Sequence, residues 1–172
     1  KELDSTPFGT QLDVYRKGYE WLNHSIYPLN VEDLEKDPRV TVGNSACLQP
    51  YSCSVFNVSA MSFGSLSANA VEALNGGARK GNFAHNTGEG GISPYHLKHG
   101  GDLIWQIGTG YFGCRDKAGR FSDALFAEKA ATPAVKMIEL KLSQGAKPGL
   151  GGILPGAKVT EEIAAIRNVE VG

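Results

Sequence analysis

MIELKLSQGAKPGLGGILPG, residues 137–156, joins the end of a predicted strand to a glycine-rich loop. The alternation that defines the strand runs over residues 135–141, with Lys136, Ile138 and Leu140 on one face and Val135, Met137, Glu139 and Lys141 on the other. A half-buried surface strand buries its apolar set and exposes its charges. In a parallel barrel, by contrast, one set packs under helices and the inward set can carry charges that contact a ligand. The alternation alone leaves both interpretations open.

The loop in the second half of this stretch is unusually rich in glycine and proline. Glycine permits a positive φ and a close approach of the backbone to a ligand, and proline stiffens the path between the glycines. Lys141 ends the strand, and Gln144 and Lys147 follow in the loop. These side chains are candidates for ligand contacts. A solvated surface connection also explains such a loop when it is considered alone.

Strands and helices alternate over most of the chain. Strands are predicted at 54–61, 82–85, 103–107 and 135–141. Helices are predicted to begin after the N-caps Ser67, Ser122 and Thr160. This order indicates a parallel sheet, in which ligands bind at the carboxyl ends of the strands. Because each predicted strand is followed there by a glycine-rich segment, we expect one shared site at this edge.

The composition narrows the classes of function. The 172 residues carry a net charge of -1 and no basic stripe, which argues against nucleic acid as a partner. No apolar run is long enough to cross a bilayer, so a cytoplasmic location is predicted, with membrane association through segments outside this chain left open. The odd number of cysteines argues against a disulfide framework and for a reducing compartment. Cys47 and Cys53 lack the further ligands that a metal requires, and no metal site is predicted.

Two regions of unequal regularity are predicted. Residues 1–50 have weak periodicity and are expected to form an irregular N-terminal arm with one short helix near 14–22, whereas residues 51–172 form the folded domain. The chain starts at Lys1 rather than at Met and stops at Gly172 without a closing helix. From these ends we predict a fragment of a longer protein.

Two segments of the chain share features with phosphate-binding motifs. Gly108, Gly110 and Gly113 match the spacing of the dinucleotide fingerprint and follow a predicted strand. Residues 114–119 are polar and turn-like, however, so no helix begins at these glycines to hold a pyrophosphate. A Walker A loop is excluded because Lys147 is followed by Pro148 rather than by Ser or Thr.

Four segments together resemble a known family: MSFGSLS (61–67), NTGEGG (86–91), QIGTGYFG (106–113) and IELKLSQGAKPGLGGILPGAKV (138–159). In this order they are similar to the FMN-binding synthase domain of glutamate synthases, and most of all to its stand-alone relatives. The resemblance implies the first half of a (β/α)8 TIM barrel, with about four βα units after the arm. It also implies reductive amination of 2-oxoglutarate with ammonia to give glutamate, with reduced FMN as the hydride donor.

The resemblance assigns roles to individual residues. Met61, Ser62 and Gly64 would lie beside the flavin ring, Gln106 would bind its pyrimidine edge, and Lys141 would face N1 and O2, where negative charge accumulates on reduction. Lys147 and Gln144 would contact the substrate, and Glu89 would accept a proton from ammonium. For Tyr95, His85 and His96 a structural role is favoured.

Several expectations and alternatives accompany this assignment. Tyr111 replaces a basic residue of the family's third loop, and Arg115 is a candidate to compensate, so the identity of the oxo acid is open. The alternative functions are amination with a substituted amine, giving an N-alkylglutamate, and a non-catalytic scaffold subunit.

Half a barrel exposes sheet edges, so we expect it to pair with its missing half or to self-associate, and we expect the isolated fragment to be inactive. An electron-donor protein or an NAD(P)H-dependent flavoprotein would be a partner, and any iron–sulfur cluster would lie outside this chain.

Overall fold

The structure, a computed structural model, describes residues 20–142 and 154–172. Its strands are β1 (Arg39–Val42), β2 (Tyr51–Ser54), β3 (His85–Asn86), β4 (Leu103–Ile107) and β5 (Val135–Leu140). Its α-helices are α1 (Ala68–Gly81), α2 (Pro94–Leu97), α3 (Asp123–Ala130) and α4 (Glu161–Arg167), with short 3-10 turns at Val31–Asp33 and Gly156–Lys158. In the described parts of the chain, no helix is long and apolar enough to cross a membrane.

The central element is a three-stranded parallel sheet in the order β3-β4-β5. Helices connect its strands, so the predicted mixed α/β class with a parallel sheet is confirmed. The bounds of β4 agree with the predicted strand at 103–107, and β5 ends one residue before the predicted end at Lys141. Closure of this sheet into an eight-stranded barrel stays a prediction.

The first predicted strand, at 54–61, is wrong in its bounds. The regular strand is β2, which ends at Ser54, and beyond it Val58 forms a single parallel bridge with His85. The side chain of Asn57 explains the break, because its Nδ2 donates to Ser54 O at 2.7 Å and its Oδ1 accepts from Ala84 N at 2.9 Å. These bonds replace backbone pairing and turn the chain from one sheet to the other. Residues 58–61 therefore run beside β3 without forming a regular strand.

The N-terminal arm contributes to an antiparallel hairpin that the sequence did not indicate. Within it, β1 pairs with β2 across the predicted boundary at residue 50, and that boundary stays a prediction. Arg39 fastens the hairpin to the rest of the fold, since its Nη1 donates to Asn82 O at 2.8 Å and its Nη2 to Ser52 O at 2.7 Å. The helix expected near 14–22 lies almost entirely outside the described residues, and residues 20–22 are not helical.

The three predicted N-caps are confirmed. Ser67 Oγ accepts from Ala70 N, Ser122 Oγ from Leu125 N, and Thr160 Oγ1 from Ile163 N. Each bond satisfies one of the backbone N–H groups that the first turn of a helix leaves unpaired. The short helix α2, which begins after the capping box of Ser93 and His96, was not predicted because it is only four residues long.

The two faces of the parallel sheet have different chemistry. Trp105 and Ile107 of β4 pack with Cys114 against α3, and the Trp105 ring stacks on Phe126 with 5.7 Å between centroids. The opposite face carries Gln106 of β4 and Glu139 of β5, which are directly paired in the register. Ile138 pairs with Trp105 and so lies on the helix side. A register shift at the start of β5 places Val135 against the Trp105 cluster on the helix side, so it does not share the face of Glu139 as the alternation predicted. Glu139 lies on the inner face, as the barrel interpretation expects, whereas Ile138 and Leu140 are exposed.

A second apolar cluster places α4 at the carboxyl rim of the sheet. Its buried part consists of Phe63 in the loop at residues 61–67, Val71 of α1 and Ile163 of α4. Because these residues come from distant parts of the chain, their contact brings the end of α4 over the loop at 61–67. This packing determines where the last residue of α4, Arg167, is placed.

Removal of the N-cap hydroxyl of α1 should destabilise the fold measurably. Ser67→Ala leaves the Ala70 N–H unpaired and is expected to lower the free energy of unfolding by about 1 kcal/mol. Urea unfolding of the intact protein, followed by circular dichroism, measures the change. Ser59→Ala, at an exposed serine, is the control, and an equal effect of the two substitutions would contradict the assigned cap.

Candidate active site

One cavity, of about 380 Å³, opens at the carboxyl ends of the parallel strands. Six residues that the sequence analysis assigned to the site line it: Met61, Ser62, Gly64, Glu89, Gln106 and Lys141. They come from four separate segments, which the parallel arrangement brings to one rim. Gln144 and Lys147 lie outside the described residues, so their place at this cavity stays a prediction.

Lys141 and Glu89 form an ion pair at the mouth of the cavity. Lys141 Nζ lies 3.3 Å from Glu89 Oε1, and the side chains are 22% and 38% exposed. Lys141 N donates to Ile107 O at 2.9 Å, which continues the pairing of β5 with β4 by one residue and directs the lysine to the same face as Glu139. A partly exposed pair adds at most about 1 kcal/mol to stability, so its interest is the placement of two opposite charges beside the cavity.

Gly108 makes room for the Glu89 carboxylate at the end of β4. A Cβ on this glycine would lie 2.5 Å from Glu89 Oε2 and 3.0 Å from Glu89 Cβ. Any other residue would therefore displace the acid. No helix begins directly after Gly108, as the sequence predicted, since α3 starts only at Asp123.

A polar cluster on the inner face of the sheet forms the floor of the site. Glu139 Oε1 accepts hydrogen bonds from Gln106 Nε2 and, at 3.0 Å, from Asn86 Nδ2. Asn86 Oδ1 in turn accepts from Gly88 N at 3.0 Å. Gln106 is only 6% exposed, and its Oε1 is buried with no hydrogen-bond partner among the described residues. An acceptor is thus left unsatisfied where Gln106 borders the cavity.

The buried side chain of His96 fixes the start of the loop at residues 61–67 by a hydrogen bond to its backbone. His96 Nδ1 accepts from Ser93 N at 3.1 Å, and a backbone nitrogen can only donate, so the proton of the neutral ring is on Nε2. His96 Nε2 therefore donates to Met61 O, 3.0 Å away. Burial lowers the pKa of His96, which keeps the ring neutral. The structural role that the sequence favoured for this histidine agrees with its contacts.

Two basic residues that line the cavity, Arg167 and Lys158, were not predicted from the sequence, and Arg167 is the more deeply buried. It is 8% exposed and lines the cavity, its Nη2 donates to Phe63 O at 3.1 Å, and its guanidinium carbon lies 5.1 Å from the centre of the Phe112 ring. Burial lowers the pKa of Arg167, and the nearby Glu89 acts in the opposite direction. Gly90 accommodates it, since a Cβ there would lie 2.8 Å from Arg167 Nη2. Its position depends on the packing of α4, for which the sequence has no local signal.

Arg115, the expected substitute for the basic residue at Tyr111, is placed elsewhere. Its Nη1 donates to Gly110 O at 3.3 Å, and its side chain lines a neighbouring groove beside Leu125 and Ile166. Arg167 and Lys158, and not Arg115, line the cavity together with Lys141. Cys47, Cys53 and Cys114 are free thiols, and within residues 20–142 and 154–172 no cluster of three metal-binding side chains occurs.

Parallel strands with a charged cavity at their carboxyl ends place the chain among α/β proteins, in which ligands bind at that edge of the sheet. Residues 11–172 match the model of a family described as a conserved region in glutamate synthase. The chain belongs to this glutamate synthase family, whose named members are oxidoreductases of amino-acid metabolism.

Three relatives illustrate the similarity. The glutamate synthase large subunit-like protein YerD of Bacillus subtilis (strain 168) is 49% identical over 141 residues, which are 81% of this chain and 27% of the relative. The archaeal-type glutamate synthase (NADPH) of Thermotoga sp. (strain RQ2) is 42% identical over 113 residues, 66% of this chain and 20% of the relative. The archaeal glutamate synthase (NADPH) of Archaeoglobus fulgidus is 39% identical over 114 residues, again 66% and 20%. The chain spans only about a fifth to a quarter of these relatives.

Substitutions of Gly108 and Gly77 by alanine should change the free energy of unfolding in opposite directions, because only Gly108 is in contact with another side chain. Gly108→Ala pushes the Glu89 carboxylate off Lys141 and should lower the free energy of unfolding by up to about 1 kcal/mol, the worth of a partly exposed ion pair. Gly77→Ala, in α1 with nothing within 4 Å of the added methyl, should instead raise it by about 0.5–1 kcal/mol. Urea unfolding of both variants checks the signs. Stabilisation by Gly108→Ala would show that the carboxylate is not confined there.

The buried His85 predicts a loss of stability in mild acid. Burial lowers its pKa to about 4, so the folded protein keeps it neutral where the unfolded chain, with a pKa near 6.5, already binds a proton. Stability from this group is complete above pH 6.5 and falls as the pH decreases toward 4, by up to about 3 kcal/mol. His85→Leu should remove this part of the pH dependence of urea unfolding, whereas His24→Gln, at an exposed histidine, should keep it. Identical slopes for wild type and His85→Leu would contradict the prediction.

Proposed function

We propose that the protein containing this chain is an FMN-dependent, glutamate-synthase-like oxidoreductase that reductively aminates 2-oxoglutarate to glutamate. The observation that carries the proposal is the convergence of Glu89, Gln106 and Lys141, from three separate strand-end segments, on one cavity. The names of the relatives support the same reaction class. Because the chain spans a minor part of those relatives, the activity is proposed for the whole protein.

The chemistry of the cavity fits a flavin ring. A flavin has an N–H on its pyrimidine edge, and Gln106 offers a buried acceptor without a partner among the described residues. The flavin gains negative charge at N1 and O2 on reduction, and Lys141 supplies a cation. Gly88 lets two of the loops around the cavity pack closely, since a Cβ there would lie 2.8 Å from Ser62 N. FMN, when bound here, supplies the hydride for the reduction.

The acid at the cavity is suited to proton transfer. Glu89 is half-exposed, so ammonium can reach it from solvent, and its Oε1 is held 3.3 Å from Lys141 Nζ. In the proposed role, Glu89 accepts a proton from ammonium and so releases the amine nucleophile. The ion pair with Lys141 holds the carboxylate in place beside the cavity.

Recognition of the oxo acid is assigned to basic side chains at the same cavity. Arg167 presents a guanidinium whose Nη2 is bonded to Phe63 O and whose Nε has no partner among the described residues. A planar guanidinium matches a carboxylate with two parallel hydrogen bonds. Arg167 therefore takes the role left open by Tyr111. Gln144 and Lys147 are proposed to contact the substrate from the following loop.

The open edge of the sheet supports a partner for this part of the fold. Ile138 is 41% exposed and Leu140 69%, although both lie on a strand of the central sheet. An apolar strand edge left in water promotes association, so we propose that further strands of the barrel cover it in the complete protein. The electron donor and any iron–sulfur cluster are proposed to belong to other parts of that protein or to a partner.

The assignment of Arg167 predicts a specific loss of substrate affinity. In the intact enzyme loaded with FMN, Arg167→Leu should raise the KM for 2-oxoglutarate about 10–100-fold, the usual cost of a lost charged hydrogen bond, while FMN stays bound. Arg115→Leu, which removes the same charge from the neighbouring groove, should change this KM less than threefold (a factor of about 3 corresponds to under 1 kcal/mol). A larger effect of Arg115→Leu would reverse the two assignments.

The same assay tests the reaction itself. Glutamate formation is measured with 2-oxoglutarate, a reductant and either ammonia or methylamine. Turnover with ammonia supports the proposal, and preference for methylamine would instead support N-alkylglutamate synthesis. Bound FMN without turnover on any amine would support the scaffold alternative.

A further inference from the structure

The inner face of the sheet contains a carboxylate that the proposed reaction does not use. Glu139 lies on β5 directly opposite Gln106 of β4, so the two side chains extend from the same face. Its Oε1 accepts from the side-chain amides of both Gln106 and Asn86. Glu139 itself is exposed, whereas both amides are buried, at 6% and 5% exposure. One accessible acid thus organises two buried amides.

The charge of Glu139 decides which end of each amide it contacts. An ionised carboxylate only accepts hydrogen bonds, so Gln106 and Asn86 must direct their NH2 groups toward it. Their oxygens then face away from the acid. The oxygen of Asn86 accepts from Gly88 N at 3.0 Å, and that of Gln106 is buried at the cavity without a partner.

A buried acceptor without a partner is destabilising, because it has lost its hydrogen bond to water and gained none in return, and this points to a ligand donor as its partner. Had the Gln106 amide the opposite orientation, the cavity would present NH2 hydrogens, which suit a carbonyl oxygen and not an N–H. The residue type at 106 does not distinguish these two cases, but the carboxylate at 139 does.

We propose that Glu139 is a positioning residue that fixes the hydrogen-bonding polarity of the cofactor cavity. By holding the NH2 of Gln106, it presents Oε1 to the N–H of a flat cyclic imide, which is the N3–H of the flavin pyrimidine ring. The proposal rests on the proposed binding of FMN. Glu139 acts only through Gln106, while Lys141, two residues further along the same strand, is the group that faces the flavin charge.

The role is tested by ligand discrimination in the intact apoprotein. Dissociation constants are measured by flavin fluorescence for FMN and for 3-methyl-FMN, in which a methyl group replaces the N3 hydrogen. In the wild type we expect FMN to bind about 30-fold or more tightly than 3-methyl-FMN, the equivalent of one buried hydrogen bond plus the steric cost of the methyl. Glu139→Leu should reduce this ratio about tenfold by weakening FMN binding, because the amide is then free to turn.

Further variants separate positioning from other effects. Gln106→Ala should reduce the ratio as much as Glu139→Leu does, and the double variant should reduce it no further, since both act on one hydrogen bond. Glu128→Leu, at an exposed acid of α3, should leave the ratio unchanged. Should Glu139→Leu fail to fold by circular dichroism, Glu139→Gln keeps the size and the acceptor oxygen and is expected to reduce the ratio about threefold.

The outcomes distinguish this inference from the function on which it rests. An unchanged ratio in folded Glu139→Leu or Glu139→Gln, with FMN bound normally, would overturn the role of Glu139 and leave the proposed function standing. Failure of the wild-type apoprotein to bind FMN would overturn both. A ratio near one in the wild type would show that N3–H has no acceptor in the site and would also refute the inference.

Discussion

The pairing register of β4 with β5 is the constraint on which the site depends. It sets Gln106 opposite Glu139 and Trp105 opposite Ile138, so one face of the sheet is polar and the other packs on α3. A slip of one residue would exchange the two faces and bring the carboxylate against the aromatic core. The same pairing continues to Lys141, whose position beside Glu89 follows from it.

The rest of the site is formed by loops at the carboxyl ends of the strands, none of which would indicate a site if its sequence were considered alone. The segments at 61–67, 86–91 and 106–113 each follow a strand or a strand-like run, and the parallel arrangement brings them to one rim. Close contacts then fix single side chains: Gly108 leaves space for Glu89, and Gly90 leaves space for Arg167. Buried groups beneath, such as His96 on Met61 O, hold the backbone of the first loop. The charged groups are thus positioned by backbone that the fold makes rigid.

The sequence could predict the parts of this fold that have local signals. Hydroxyl N-caps at Ser67, Ser122 and Thr160 and the apolar run of β4 depend on adjacent residues only, and they were located correctly. The hairpin of β1 and β2 was missed because its strands are four residues long and pair across a turn-rich segment. Arg167 was missed for a different reason, since its place at the cavity results from tertiary packing between residues about a hundred positions apart, as its bond to Phe63 O illustrates.

Arg167 also links the apolar interior to the chemistry of the cavity. The helix that carries it is seated by Ile163 against Phe63 and Val71, and the Phe63 carbonyl accepts from the guanidinium itself. A change in the size of any of these three apolar side chains would tilt α4 and move a positive charge at the ligand, without altering a single polar contact residue. Under the proposed function, selectivity among oxo acids of different length can therefore change through buried apolar side chains, and a search for altered selectivity is best directed at Phe63, Val71 and Ile163.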